Sequence, residues 1–282
     1  MRIHHLNCGS MREIAPATDP DGALRPLPAV CHCLLIETAS DGLVLVETGF
    51  GTSDIRDPEA RLGQDFLGWA QPVLDPEETA VRQIERLGHS PTDVRHIVVT
   101  HLHRDHTGGL ADFPHARVHL HETEHRAATV TRGDRYPQAH WAHDPHWVTY
   151  SGTDGERWFG FDKVQQLTNL PPEILLVPLA GHTEGHLAVA VRRSAGPGPA
   201  WLVHAGDAYY YRGEVAPGLP PTPPMFDALQ ASVETDRPLR LDNLARLRAL
   251  LAEHPDQVEV VSAHDPWEFR RMSVVDSVGS AA

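Results

Sequence analysis

The sequence predicts an α/β protein in which helices cover β-sheets. Short apolar runs alternate with segments of helical periodicity, and strands followed by helices occur twice along the chain. The chain has 282 residues, of which 41% are hydrophobic and 22% are charged, as is usual for folded globular proteins. We therefore expect one domain over residues 1–282, with enough apolar side chains for a core.

Three segments in the first half of the chain have the composition of buried strands. They lie at residues 31–38, 42–49 and 95–100. Asp41 and Gly42 favour a tight turn, so the first two strands are predicted to form a hairpin. Cys31 and Cys33 begin the first strand and resemble half of a zinc site. The chain has only three cysteines and no second pair, so we interpret them as core residues.

Two segments carry both the boundaries and the periodicity of helices. Residues 75–88 begin with Asp75 as the N-cap and end at Gly88. Their predicted apolar face consists of Val81, Ile84 and Leu87. Residues 236–255 form the second predicted helix, in which apolar residues recur at helical spacing. These are Leu244, Leu247 and Leu251.

The second half of the chain adds four predicted strands, at residues 173–179, 187–192, 200–206 and 257–265. Two other stretches have the composition of long surface segments. Residues 125–165, an insert rich in tryptophan, tyrosine and phenylalanine, are suited to wall an apolar pocket or to pair two subunits. Residues 215–226 contain five prolines. Long segments of this kind often form lids or binding walls.

The charge of the chain restricts its partners. The formal net charge is −14, which disfavours nucleic acid and anionic membrane surfaces as partners. The N-terminus has no apolar stretch typical of a signal peptide, and no apolar run approaches the roughly 20 residues needed to span a membrane. We expect a cytoplasmic protein that acts on a small molecule.

A dense group of metal-binding side chains follows the strand at 95–100. The stretch at 98–109 reads VVTHLHRDHTGG. In extended backbone, residues i and i+2 point the same way, so His101 and His103 converge on one point with Asp105 on the same side. His106 turns toward a second point. Imidazole nitrogens and carboxylate oxygens suit zinc, so we expect parts of two metal sites here.

Four side chains do not fill two metal sites, so further ligands must come from other strand ends. His182 and Asp207 each follow a predicted strand, and His264 lies at the end of the last predicted strand. They lie in the sequences GHTEGH, GDA and SAHD. We therefore predict these three as the remaining metal ligands. His186 is expected to support the site rather than to bind metal.

The ordered set HLHRDH, GHTEGH, GDA and SAHD resembles the metallo-β-lactamase-fold superfamily of hydrolases across nearly the whole chain. The resemblance implies a four-layered αβ/βα sandwich and two bound Zn²⁺ ions, with Fe, Mn or Co as possible replacements. It implies that one ion is bound by His101, His103 and His182. The other is bound by Asp105, His106 and His264, with Asp207 bridging both.

One residue departs from the family pattern. The family usually has aspartate in a D-T-G turn after the early hairpin, whereas this chain has Glu47 in VETG. That residue normally supports a ligand and does not bind the metal. Glutamate is one methylene longer, so the support that it gives is expected to differ.

Within the superfamily, the sequence is similar to the N-acyl homoserine lactonase branch. Tyr210 follows the predicted bridging Asp207 by three residues, and in that branch a tyrosine at this place points at the lactone carbonyl. The resemblance implies a hydrolase that opens a lactone or similar carboxylic ester with a metal-bridging hydroxide. Tyr210 would stabilise the oxyanion and Asp105 would pass a proton to the leaving oxygen. Action on acyl homoserine lactones would make it a quorum-quenching enzyme.

Other functions on the same fold remain open at this point. A glyoxalase-II-like thioester hydrolase uses the same metal ligands, but such enzymes usually have a basic patch for glutathione. A mononuclear iron dioxygenase needs only one metal, which the complete second ligand set disfavours. A metal-binding protein without activity would have the same motifs. The sequence is also compatible with a homodimer.

Overall fold

Strands of the described chain form two six-stranded sheets. The computed structural model describes residues 1–16, 25–131, 133, 135–168, 170, 173–193 and 198–279. The first sheet consists, in spatial order, of β1 (Arg2–Ile14), β2 (Leu27–Glu37), β3 (Leu43–Val46), β4 (Val94–Val98), β5 (Arg117–His121) and β6 (His146–Tyr150). The second runs from β7 (Glu156–Trp158) through β8 (Phe161–Gln166), β9 (Ile174–Pro178), β10 (Leu187–Arg192) and β11 (Trp201–His204) to β12 (Val258–Val261).

The helices lie between these strands and outside the sheets. They are α1 (Thr52–Arg56), α2 (Pro58–Leu62), α3 (Gln64–Ala70), α4 (Ala80–Arg86), α5 (Arg104–Thr107), α6 (Glu122–Arg126), α7 (Pro224–Val233), α8 (Arg237–Glu253) and α9 (Pro266–Gly279). Short 3₁₀ turns occupy Pro76–Glu78, Pro91–Asp93, Gly108–Asp112, Gln138–Trp141 and Arg212–Glu214, and a π-turn occupies Ala127–Thr131. No helix in the described ranges is long and apolar enough to cross a membrane.

Three apolar layers and one further cluster, which packs part of β1 with α3 and α7, hold the sheets and helices of the described chain together. The inner layer, between the sheets, contains Leu34 and Val46 from the first sheet and Leu176 and Val189 from the second. A second layer packs α4, through Ile84, against the outer face of the first sheet. The third packs α8 against the outer face of the second sheet. The predicted αβ/βα sandwich is therefore confirmed.

The directions of the strands bring several strand ends to one edge of the molecule. Strands β9, β11 and β12 run in the same direction, because β10 is antiparallel to both β9 and β11, and β12 is parallel to β11. Two backbone hydrogen bonds join the sheets near this edge. The Leu187 N–H donates to the Thr100 carbonyl at 3.1 Å, and the His32 N–H donates to the Ala263 carbonyl at 2.8 Å.

The two predicted helices differ in how well their starts were placed. Helix α8 begins where the sequence predicts, and Asp236 caps it by accepting a hydrogen bond from the Leu239 N–H at 3.0 Å. Residues 75–88 instead begin with a 3₁₀ turn, and α4 starts only after Thr79, whose hydroxyl caps it. Leu87 was predicted on the apolar face but is 40% exposed, because α4 ends at Arg86.

The prediction that residues 125–165 form a surface segment is wrong. This stretch supplies β6 at one edge of the first sheet, and β7 and β8 at one edge of the second. Most of its aromatic side chains pack in the outer apolar layers, and Tyr150 packs in the inner layer. Trp141 packs on the first sheet, and Phe161 packs on the second. The hairpin of β2 and β3 is confirmed, and Cys31 and Cys33 are buried in β2 as expected.

A matched pair of substitutions in α8 tests the outer layer of the second sheet. Leu244 is 2% exposed and Leu241 is 42% exposed. We expect Leu244→Ala to lower the free energy of unfolding by about 2–5 kcal/mol, through lost burial and a residual cavity. Leu241→Ala should change it by less than about 0.5 kcal/mol. Urea unfolding measures both, and equal losses would contradict the packing described.

Candidate metal centre

The structure brings all seven predicted ligands to the edge where the two sheets meet. His101 and His103 follow β4, while Asp105 and His106 lie on the short helix α5. The other three follow parallel strands of the second sheet. His182 follows β9, Asp207 follows β11 and His264 follows β12. Strand ends of opposing sheets therefore supply the two halves of one cluster, which we call the metal centre.

Asp207 lies in the middle of the metal centre, with one carboxylate oxygen turned toward each half. Its Oδ2 is 3.2 Å from Nε2 of His182 and 3.7 Å from Nε2 of His101. Its Oδ1 is 3.3 Å from Nε2 of His106 and 3.2 Å from Nε2 of His264. This is the arrangement expected of a carboxylate that bridges two ions.

Each half of the metal centre also has its own set of donors. Nδ1 of His103 lies 3.1 Å from Nε2 of His182, and with His101 these side chains have donor atoms within 4.8 Å of one another. Asp105, His106 and His264 form a second set within the same limit. The two sets agree with the division into two metals that the sequence predicts.

Several donor atoms of the metal centre lack a hydrogen-bond partner in the described chain, which suits them to bind metal ions. Nε2 of His101, Nε2 of His106 and Oδ1 of Asp207 are buried and make no hydrogen bond within the described chain. Buried polar atoms are normally satisfied, so a group of orphaned atoms facing one point requires a partner. Nitrogen and oxygen donors in sets of three or four match the ligands of zinc.

Burial and charge set the protonation of the metal centre before any metal binds. Burial lowers the pKa of His103 to about 3, and lowers the pKa values of His101 and His182 well below the ordinary range. These three imidazoles are neutral at pH 7 and ready to act as ligands. Burial opposes the charged forms of His106 and His264 too, but nearby carboxylates, Asp207 first, outweigh it and raise both pKa values.

Several ligands are oriented by hydrogen bonds from their other ring nitrogen. Nδ1 of His101 lies 3.0 Å from the Thr100 hydroxyl, and Nδ1 of His264 donates to the Val30 carbonyl at 2.8 Å. Such partners fix the ring orientation and leave Nε2 free for a metal. His186 supports the site as expected, since its Nε2 accepts from the Asp207 N–H at 3.0 Å.

Glu47 supports the metal centre from the turn after β3. Its Oε1 accepts from the Thr100 N–H at 2.7 Å, and its Oε2 lies 3.3 Å from Nδ1 of His106. The backbone of Glu47 has φ of 63°, a left-handed conformation that is uncommon for residues other than glycine. The residue that departs from the family pattern is therefore held in an unusual conformation and still reaches a ligand.

Glu124, in α6, is a supporting residue that the sequence did not reveal. It is fully buried and its Oε1 accepts from the Leu102 N–H, between His101 and His103, at 3.0 Å. Its Oε2 accepts from the Thr183 hydroxyl at 2.7 Å and from the Gly185 N–H at 3.2 Å. One carboxylate thus joins the loop after β4 to the loop that carries His182.

Among the described residues, the histidines of the 125–165 insert belong to no group of three potential metal ligands. Nε2 of His140 lies 3.2 Å from Asp54, and its Nδ1 lies 2.9 Å from the Thr107 hydroxyl. Asp54 also accepts from Arg61 at 2.6 Å. This buried chain of contacts ties α1 and α2 to the end of α5.

A cavity of about 710 Å³ opens beside the metal centre. Its base includes His103, Asp105, Asp207, Tyr210 and His264. The wall is mostly apolar and comes from β1, α3 and α7, through Met11, Ile14, Phe66, Trp69, Phe226 and Leu229. Among the described lining residues, only Arg135 belongs to the insert, so the expected aromatic wall from 125–165 is wrong. The end of the proline-rich stretch 215–226 does line the cavity.

Comparison with known families agrees with this geometry. The family model described as "Metallo-beta-lactamase superfamily" matches residues 27–249. The chain belongs to this superfamily. The metal centre and the αβ/βα sandwich of this metallo-β-lactamase-fold protein are thus those of a metal-dependent hydrolase.

Relatives of this chain include a probable metallo-hydrolase and N-acyl homoserine lactonases. A probable metallo-hydrolase of Mycobacterium tuberculosis is 42% identical over 270 residues, which cover 94% of this chain and 81% of the relative. The N-acyl homoserine lactonase AttM of Rhizobium radiobacter is 28% identical over 237 residues, covering 81% and 80%. A solved N-acyl homoserine lactone hydrolase, with the product N-hexanoyl-L-homoserine at its metal centre, has a TM-score of 0.67, 20% identity and 95% coverage of each chain.

Metal binding is expected to release protons and to strengthen as the pH rises. His106 and His264 have raised pKa values in the metal-free protein, so zinc must displace their protons, whereas His101, His103 and His182 have none to lose. Calorimetric titration with Zn²⁺ at pH 7, in buffers of different ionisation enthalpy, measures this release. Binding without proton release would contradict the charge distribution described.

A single substitution tests the role of Glu124. Glu124→Gln places an amide N–H₂ against backbone or hydroxyl donors, so the two ligand loops should separate. We expect the Zn²⁺ affinity to fall by about 10- to 100-fold, as for other partners of metal ligands. Glu122→Gln, on the exposed side of the same helix, is the control. Competition with a chromophoric chelator measures both, and an unchanged affinity in Glu124→Gln would refute this role.

Proposed function

We propose that the protein is a two-zinc hydrolase that opens a lactone, an N-acyl homoserine lactone or a similar carboxylic ester. The observation that carries this proposal is the position of Tyr210. It is buried at the base of the apolar cavity and its hydroxyl donates to Oδ2 of Asp207 at 3.1 Å. A hydrogen-bond donor therefore lies where the cavity meets the predicted bridging ligand. The lactonase relatives support the same substrate class.

Zinc ions bound at such a site would supply Lewis acidity and a water that ionises near neutral pH. The side chains themselves supply positioning and proton transfer. Burial raises the pKa of Tyr210 well above its usual value, so the phenol stays protonated and remains a donor. A protonated phenol can donate to the oxyanion that develops on an attacked carbonyl. This is the part that we assign to Tyr210.

Asp105 is suited to carry a proton to the leaving oxygen. Its Oδ2 is 3.4 Å from Nε2 of His264, and the residue lines the cavity. It is only partly buried, unlike Asp207, so one side of the carboxylate faces the space that a substrate would occupy. We propose that Asp105, which would also bind metal, accepts a proton from the attacking water and passes it to the ring oxygen as the C–O bond of the lactone breaks.

The shape and lining of the cavity suit a substrate with an apolar chain. About 710 Å³ is within the range of small-molecule sites, and the wall offers methionine, isoleucine, leucine and aromatic side chains. An acyl chain would lie against β1, α3 and α7 while the ester group reaches the metal centre. If acyl homoserine lactones are the substrates, the activity would be quorum-quenching.

A substrate panel tests the proposal against its alternatives. The zinc-loaded protein would be offered acyl homoserine lactones of two chain lengths, a simple γ-lactone, a glutathione thioester and a cephalosporin. Lactone hydrolysis that is lost in His264→Ala supports the proposal. Hydrolysis of the thioester without the lactones would favour the glyoxalase-II-like alternative. Retained lactone turnover in His264→Ala would contradict a two-metal reaction.

Removal of one hydroxyl tests the part played by Tyr210. For Tyr210→Phe we expect kcat for the lactone to fall by about 10²- to 10³-fold, because loss of an oxyanion donor has this effect in other enzymes. Zinc content should be unchanged. Tyr150→Phe removes a buried hydroxyl that bonds His119 at 2.9 Å, away from the cavity, and should retain activity. A Tyr210→Phe variant as fast as wild type would remove Tyr210 from the mechanism.

A further inference from the structure

A second group of metal-binding side chains lies away from the metal centre and the cavity. It consists of His4 on β1, Glu37 at the end of β2 and His89 in the loop after α4. We call this group the α4 site. None of its three residues lines the cavity or belongs to the donor sets at the sheet edge.

Strand register explains why two of these residues converge. In the antiparallel pair of β1 and β2, His4 lies opposite Leu35, and Arg2 lies opposite Glu37. His4 and Glu37 are therefore diagonal neighbours on one face of the first sheet. Leu35 belongs to the apolar layer under α4, so this is the face that the helix covers.

The third residue is brought to that face by the end of the helix. Gly88 follows α4 with φ of 85°, which reverses the chain, and the His89 N–H donates to the Ile84 carbonyl at 3.2 Å. These contacts hold the backbone of His89 beside the strands. All three side chains thus project from elements with fixed backbone positions, which favours a preformed site.

The donor atoms of the α4 site converge on one another, and in the metal-free chain His4 and Glu37 are hydrogen-bonded. Both imidazoles present Nε2 to the same carboxylate oxygen, Oε1 of Glu37. The distance is 2.6 Å from His4 and 3.4 Å from His89. The three donor atoms all lie within 4.8 Å of one another. His4 is buried, whereas Glu37 and His89 are partly exposed, so solvent reaches one side of the site.

We propose that the α4 site binds one divalent transition-metal ion, with Zn²⁺ as the ion to test. Two imidazoles and one carboxylate are a ligand set that such ions accept, and water would complete the coordination on the exposed side. The bound ion would tie β1 and β2 to the end of α4. Because it binds only the folded chain, it would also stabilise the protein. This proposal does not depend on the proposed lactone hydrolysis.

The alternative is that these residues form only an ion pair between a carboxylate and protonated imidazoles. An ion pair requires protons on the histidines, whereas a metal requires the free nitrogens. The two cases therefore differ in whether zinc binds at all, and metal titration separates them.

The experiment is a Zn²⁺ titration of the metal-free full-length protein, followed by gel filtration and elemental analysis. Four proteins are compared: wild type, His89→Ala, Glu37→Gln and the control His115→Ala. His115 is an exposed histidine outside the α4 site. We expect three ions per chain in the wild type and the control, and two in His89→Ala and Glu37→Gln. The dissociation constant of the third ion should rise by at least about 100-fold. Loss of a residue that only supports a metal ligand already lowers the metal affinity by up to this factor.

Thermal unfolding and lactone turnover provide independent readings. Zinc should raise the Tm of the wild type and His115→Ala more than that of His89→Ala. Lactone turnover should be equal in all four proteins, because the α4 site is separate from the metal centre. A failure of the α4 proposal therefore leaves the proposed function unaffected. Two ions in every protein would overturn the α4 site, and so would a third ion that persists in both His89→Ala and Glu37→Gln.

Discussion

Asp207 is 2% exposed, and its carboxylate lies among four imidazoles at the edge where the two sheets meet. An isolated carboxylate in such a place would lose several kcal/mol of hydration. Burial raises its pKa, but the charges of His264 and His106 outweigh burial and lower the pKa well below the usual range. The charge is therefore retained, and positive charge must be kept beside it. The imidazoles of the metal centre, and the metal ions that they are suited to bind, supply this positive charge.

The fold places imidazoles and metal-binding groups beside Asp207 because the ends of several strands converge there. Three parallel strands of the second sheet end at one edge and supply Asp207 and two imidazoles, while the loop and the helix α5 that follow β4 of the first sheet supply the rest. The Leu187–Thr100 hydrogen bond joins the sheets beside the cluster, and Glu124 joins two of the ligand loops. These contacts fix the spacing of the donors before a metal arrives. The site is therefore built by the sandwich as a whole.

The candidate ligands could be predicted from the sequence because they lie at or shortly after the ends of apolar strands. The cluster after the strand at 95–100 is one local signal of this kind, and His182, Asp207 and His264 are the others. The resemblance to the family supplied their division between two ions. Glu124 could not be predicted, because its partners Thr183 and Gly185 are 59 and 61 residues away. The role of Glu124 depends on the packing of α6 against a distant loop. The sequence around Glu124 does not indicate that packing.

The errors in the predicted fold have a physical origin as well. β6 has the sequence HWVTY and only its last residue is buried, so it lacks the alternation that marks a half-buried strand. It is an edge strand and pairs only with β5. The cavity wall was wrongly assigned to the insert for a related reason. Composition shows that aromatic side chains are present, but not which face of which sheet they cover, and β1, α3 and α7 meet only in the folded chain.

Anomalous X-ray diffraction at the zinc edge, from crystals of the zinc-loaded protein, tests the central claim most directly. The claim is that one buried carboxylate bridges two metal ions at the sheet edge. It predicts two peaks about 3.5–4 Å apart, one on each side of Asp207. One half would be bound by His101, His103 and His182, and the other by Asp105, His106 and His264. A single peak there, or two peaks without contact to Asp207, would contradict the account.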